Sequence, residues 1–209
     1  MMPRLFPFLF LLCLTIPSNH AAEFPPFRTR LGTQTFAPTY QFTSETKLQE
    51  TADAIWAMGS DCIKFIMNKD WSGPSQGLPA NPAIQTLVDL ARDEPTYRAL
   101  FNGPFQDYLL WVYPFQASNW HDGLSEAEAK REYQQVYDLA AYFLQTYNGS
   151  GKSFYFGHWE GDWWLLENYD PKKDPSDSAV QGMIDWLAIR QKAVETARTT
   201  IAHENVQVW

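Results

Sequence analysis

The densest grouping of chemically capable side chains is Gly157-His158-Trp159-Glu160-Gly161-Asp162-Trp163-Trp164. A second group runs from Tyr113 through Pro114, Asn119, Trp120, His121 and Asp122 to Gly123. Both set tryptophans beside acids, histidine and amides. Sugars need that mixture, because their C–H faces pack on indole rings while their hydroxyls bond to carboxylates and amides. Glu160 is the candidate general acid/base. Glycoside cleavage usually employs two carboxyl groups, one of which keeps its proton. A glutamate boxed by Trp159, Trp163 and Trp164 is partly desolvated, which raises its pKa toward that role. Trp120, His121, His158, Trp159, Asp162, Trp163 and Trp164 are the candidate substrate-binding residues. Asp162 is too near Glu160 in sequence to stand across a sugar from it, and Asp122 is the candidate for a second carboxylate.

Two other readings use the same residues. His158, Glu160 and Asp162 alternate, so an extended segment points all three one way. A histidine with two carboxylates is a start for a divalent metal site able to drive hydrolysis or isomerisation. The opposing consideration is Gly161, which can turn the chain before Asp162. The remaining reading is a carbohydrate-binding protein or enzyme relic that keeps the tryptophan platform without the acid/base work. Against any platform stands the ordinary fate of aromatics, which is to fold back as core. The sequence has no Cys/His cluster, no phosphate-binding glycine loop and no Gly-x-Ser-x-Gly elbow. No cofactor and no metal is therefore assigned.

The elements that must position these groups alternate strand and helix. Residues 31–36, 61–67, 107–113, 153–158 and 205–209 read as strands. Residues 44–58 carry Leu48, Ala52 and Ile55 at helical spacing. Asn81-Pro82 reads as a helix start, with a capping side chain ahead of a ring that needs no N–H there. That helix extends to about Arg92, and a further one covers Glu94 to Phe101. Ser125 and Glu128 form a capping box. The helix they open, about 126–147, carries Ala129, Tyr133, Val136, Ala140, Phe143 and Tyr147 on one face, and Asn148-Gly149 stops it. Ser176 or Ser178 opens a helix to about Arg198, with Val180, Met183, Leu187 and Val194 inward.

Strands separated by amphipathic helices imply parallel βαβ units with right-handed crossovers. The expected fold is α/β, with parallel strands, outer helices and about five strands of a partial (β/α)8 barrel. The alternative is a doubly wound open sheet. Its first turn would normally carry glycines for a phosphate, whereas here it is Ala37-Pro38-Thr39-Tyr40. Trp209 ends the sequence within a strand pattern with no helix to cover it, so the barrel is expected to be incomplete at the C-terminus. In both parallel folds ligands bind at the carboxyl ends of strands, where the two loops above fall.

The strand ending in His158-Trp159-Glu160 resembles the fourth strand of clan A glycoside hydrolases, in which a glutamate ends that strand as acid/base. The element order over residues 31–209 is similar to the first five strands of such a barrel. The resemblance implies Glu160 as acid/base and a nucleophile on a seventh strand, beyond the strands counted here. The clan usually has Asn directly before its glutamate, where this chain has Trp159.

Composition bounds the setting. Arg4 precedes the apolar run Leu5–Ile16, and Ala21-Ala22 follow, which is the layout of an export signal over residues 1–22. The expected location is secreted or periplasmic, with residues 23–209 as a single domain and no membrane segment in the mature form. The formal charge is −8. Removing the signal takes away one arginine and no acid. An acidic chain is a poor partner for a phosphate backbone, so nucleic acid is excluded and a neutral or cationic ligand is favoured. Only Cys62 lies outside the signal, so no internal disulfide forms and the thiol reads as buried and inert.

Overall fold

The computed structural model describes residues 32–35, 41–72, 76–158, 161–166 and 169–209. Residues 1–22, where an export signal is expected, lie outside the described residues, as do Trp159 and Glu160. In chain order the elements are β1 (Gly32–Gln34), α1 (Lys47–Ala57), β2 (Cys62–Met67), α2 (Leu87–Asp93), α3 (Pro95–Asn102), β3 (Asp107–Val112), α4 (Glu126–Thr146), β4 (Ser153–Gly157), α5 (Gly161–Leu165), α6 (Asp177–Thr200) and β5 (Gln207–Val208). The fold is α/β, with a five-stranded sheet in which every pairing is parallel. The strand order is β1-β2-β3-β4-β5. A doubly wound sheet reverses its order at a switch point; this one does not. An unreversed order with same-handed crossovers sends the helices to one face, as in the opening segment of a (β/α)8 barrel.

The two faces differ accordingly. Ile63, Phe65 and Met67 of β2, Tyr108, Leu110 and Val112 of β3, and Phe154 of β4 are buried in one core with Leu48, Leu90, Phe101, Phe143 and Val194 from the helices. Phe143 stacks on Phe154 with ring centroids 4.1 Å apart. The intervening residues face the other way, and Leu109 and Tyr155 there are 37% and 40% exposed. In register across that face stand Lys64, Leu109 and Tyr155, then Ile66, Trp111 and Gly157 toward the carboxyl ends.

Most helix signals in the sequence hold. The Ser125–Glu128 capping box is formed in full, and Ser176 caps α6. Gly149, just past α4, takes φ 81°, the left-handed conformation expected of a helix stop. Two expectations are corrected. Asn81-Pro82 makes a turn, with the Ala83 N–H donating to Asn81 Oδ1 at 3.0 Å. The cap of α2 is Thr86, whose hydroxyl accepts from the Asp89 N–H. On α6, Val180 and Leu187 point outward, and the inward stripe is Ala179, Gly182, Met183, Trp186, Arg190, Ala193, Val194 and Ala197. That stripe mixes small residues with an arginine, so apolar periodicity alone does not reveal it. Cys62 is half-buried on the face away from the helices. Its thiol is pushed up to about 11 by burial and by Asp107 and Asp61, which keeps it protonated and unreactive at neutral pH.

Among the described residues no helix is long and apolar enough to cross a membrane.

Candidate functional site

The loop after β3 is held down by the first turns of α4. The Phe115 N–H donates to Gln135 Oε1 at 3.1 Å, Ser118 Oγ to Glu132 Oε2 at 3.0 Å, and the Asn119 N–H to Glu128 Oε1 at 3.0 Å. The loop then forms a 3₁₀ turn, Trp120–Asp122, that presses on α6. A Cβ added at Gly182 would stand 1.8 Å from the Trp120 carbonyl oxygen. Glycine is needed there because the backbone of the turn occupies the space of a side chain.

Trp120 is 2% exposed. It joins Met183 and Trp186 in a small second core, with Leu124, Trp164 and Leu165 packed on it. Its ring lies 4.0 Å from the His121 ring and 6.0 Å from Trp186. The expectation of an open Trp120 platform is therefore corrected: the indole is part of the support and offers no open face. His121 and Asp122 are exposed.

The segment after β4 reaches the same place. The His158 ring meets the Trp186 ring edge-on at 5.5 Å. Gly161 sits against both His158 and Met183, since an added Cβ would come within 2.9 and 3.0 Å of them. The chain becomes helical at Gly161, so Asp162 does not continue an extended alternation with His158. Of the three residues in the metal reading, Asp162 thus lies on a helix, His158 lies just past the end of β4, and Glu160 lies outside the described residues. Among the described residues no three His, Cys, Asp or Glu side chains group around a metal position. Asp162 is exposed and Trp163 is 38% exposed, its ring 6.5 Å from that of Tyr169. Trp164 lies between Tyr113 at 5.4 Å and Trp186 at 6.0 Å. The two loops are joined directly, because His121 Nε2 lies 2.5 Å from the Trp164 carbonyl oxygen and donates to it.

Comparison with family models, curated proteins and solved structures returns no match.

Several residues that shape this edge of the sheet are not in either loop. Arg190 of α6 donates through Nη1 to Glu132 Oε1 at 2.7 Å and through Nη2 to the Val112 carbonyl at 2.8 Å. Its guanidinium lies 4.7 Å from the Trp186 ring centroid. Trp111 is at the end of β3 on the face away from the helices, and the Lys64 ammonium lies 4.2 Å from its ring centroid. Lys64, a lone cation in an apolar strand, thus turns toward an aromatic ring. Trp111, Tyr113, Asn68 and Trp164 line an open pocket of about 380 Å³ with Lys69 and Asp70 at the carboxyl ends of β2 and β3. The sequence signal for Trp111 and Tyr113 was strand alternation. Two aromatics two residues apart at a strand end share a face, and among the described residues that face is the one turned away from the helices of the main core.

Of the predicted site residues, the structure brings together Trp120, His121, His158 and Trp164. Asp162 and Trp163 lie on α5 beside them, with their side chains exposed.

Proposed function

We propose that this is an exported carbohydrate-active protein of glycoside hydrolase type, working at the carboxyl ends of its parallel strands, with Glu160 as general acid/base. The observation that carries the reading is the His121–Trp164 hydrogen bond. It ties the loop after β3 to the segment after β4, the two stretches whose residue types suit a sugar. Glu160 lies in the chain between His158 and Gly161, and both neighbours pack toward α6. Two indoles of that segment, Trp163 and Trp164, keep surface on the outer side of the Trp120–Trp186 support. An aromatic cluster that includes Trp164, from the same stretch of sequence as Glu160, suits a site whose acid must meet a glycosidic oxygen at a fixed position.

The export reading rests on residues 1–22 and puts the ligand outside the cytoplasm. A second reading, sugar binding without cleavage, is favoured by the pocket lined by Trp111, Tyr113 and Trp164, which offers aromatic surfaces that a bound sugar can use without being cleaved.

The test is Glu160→Gln, assayed for hydrolysis of aryl glycosides and for binding of the corresponding oligosaccharides. Loss of hydrolysis with binding retained supports the acid/base role. Binding by the wild type with no hydrolysis supports the second reading. Hydrolysis unchanged in the variant removes Glu160 from the mechanism.

A further inference from the structure

The pocket at the ends of β2 and β3 draws on both loops that carry the reading above, through Tyr113 and Trp164, and adds Asn68 and Trp111 from outside them. Its volume is about 380 Å³, at the lower end of the range for small-ligand sites, about 300–1,000 Å³. Three aromatic side chains from separate elements line it: Trp111 from β3, Tyr113 from the following loop and Trp164 from α5. The Tyr113 and Trp164 rings lie 5.4 Å apart and tilted by 40°, so they present two differently oriented surfaces rather than one flat stack. The polar groups are few. Lys69 and Asp70 are exposed at the rim and offset each other in charge. Asn68 is the exception among them, because its Oδ1 is shielded from water and has no hydrogen-bond partner among the described residues. Unsatisfied buried acceptors are rare and cost stability. Where one persists beside a pocket, a bound group can supply the missing partner.

These features select a ligand class. A purely apolar ligand would leave the Asn68 acceptor unpaired. An anion would meet one lysine already balanced by an aspartate. A ring with C–H faces for the aromatics and hydroxyls for the amide and the rim satisfies all of them. Resting on the carbohydrate reading, we propose that this pocket is a subsite for one neutral sugar ring. Trp111, Tyr113 and Trp164 pack its faces, and the Asn68 amide turns out of its shielded position so that Oδ1 accepts from one of the sugar's hydroxyls. Trp164 then belongs both to this subsite and to the segment that carries Glu160.

The test uses the full chain labelled with fluorotryptophan, titrated with neutral β-linked oligosaccharides of glucose, xylose, mannose and galactose and with an oligogalacturonate, and followed by fluorine NMR. The expected result is that Trp111 and Trp164 signals, assigned through Trp→Phe variants, move with a neutral sugar while the Trp186 signal stays. Asn68→Leu should weaken that binding by about tenfold or more while melting at the same temperature or higher, because the orphan acceptor is gone. A residue serving only the fold would instead lower the melting temperature. Sugar binding that leaves Trp111 and Trp164 unmoved, or that is unchanged in Asn68→Leu, overturns the subsite and leaves the carbohydrate reading standing. Binding of the galacturonate alone overturns the neutral class. Failure of every sugar overturns the subsite and the carbohydrate reading together.

Discussion

Arg190 and Glu132 meet at 2.7 Å with side chains 8% and 1% exposed, joining α6 to α4 beneath the loop after β3. The pair is not isolated. Glu132 also accepts from Ser118, and Arg190 also donates to the Val112 carbonyl at the end of β3. The β3 terminus, the following loop and two helices are therefore fixed by one buried network. Burying two charges is costly, and what such a pair secures is geometry more than stability.

Breaking the pair on one side should be severe. Arg190→Met leaves Glu132 buried without its cation, and a loss of about 3–5 kcal/mol is expected. Arg190→Met with Glu132→Leu removes both charges and should recover most of that loss. Urea unfolding of the single and double variants checks the prediction, and equal instability of the two would refute it.

Gly182→Ala should damage the site from a distance. The added methyl would meet the Trp120 carbonyl oxygen at 1.8 Å, and that atom is backbone, which cannot rotate away. Overpacking of this kind costs about 1–3 kcal/mol or more. The expected signature is a lower melting temperature with an altered near-ultraviolet tryptophan signal, because Trp120, Trp164 and Trp186 share the disturbed cluster. A variant with wild-type melting and spectrum would contradict the close approach.

His121→Phe keeps a ring against Trp120 and deletes the donor to the Trp164 carbonyl. The net contribution of one such bond is about 0.5–1.5 kcal/mol, so the fold should survive. Hydrogen exchange should rise locally over Gly161–Leu165, with α4 and α6 unaffected. Unchanged exchange in α5 would mean that the two loops are not coupled through this bond.

Lys152 gives a pH dependence with a definite sign. Its ammonium donates to the Gly103 and Phe105 carbonyls at 2.8 and 2.7 Å and to Tyr108 Oη at 3.1 Å. Burial still pushes it down from 10.5 to about 8. Between those values the unfolded chain holds more protons than the folded one, so stability from this group rises with pH. It is complete above 10.5 and is lost as pH falls through about 8. Cys62, raised from 9.0 to about 11 by burial and neighbouring acids, acts oppositely from pH 9 upward. Tyr97 and Tyr108, raised above the usual 10.0 mainly by burial, do so above pH 10. The expected profile rises from pH 8 to 9 and then levels. Denaturant unfolding across that range should show the rise in the wild type and its absence in Lys152→Met.

The sequence by itself determined the element order and the parallel α/β class, because apolar periodicity, the Ser125–Glu128 box and the Ser176 cap act over a few residues. It also marked the two loops rich in tryptophan, acid and histidine. It could not tell which indoles are support and which are surface. Trp120 and Trp164 look alike in the chain, yet one is enclosed by α6 through Gly182 and the other reaches a pocket. The network of Arg190, Glu132 and Val112 was hidden for the same reason, since its members lie 58 and 78 residues apart. The pocket at Asn68, Trp111 and Trp164 was equally hidden. Only the parallel sheet, with α5 following β4, brought those three side chains to a common edge.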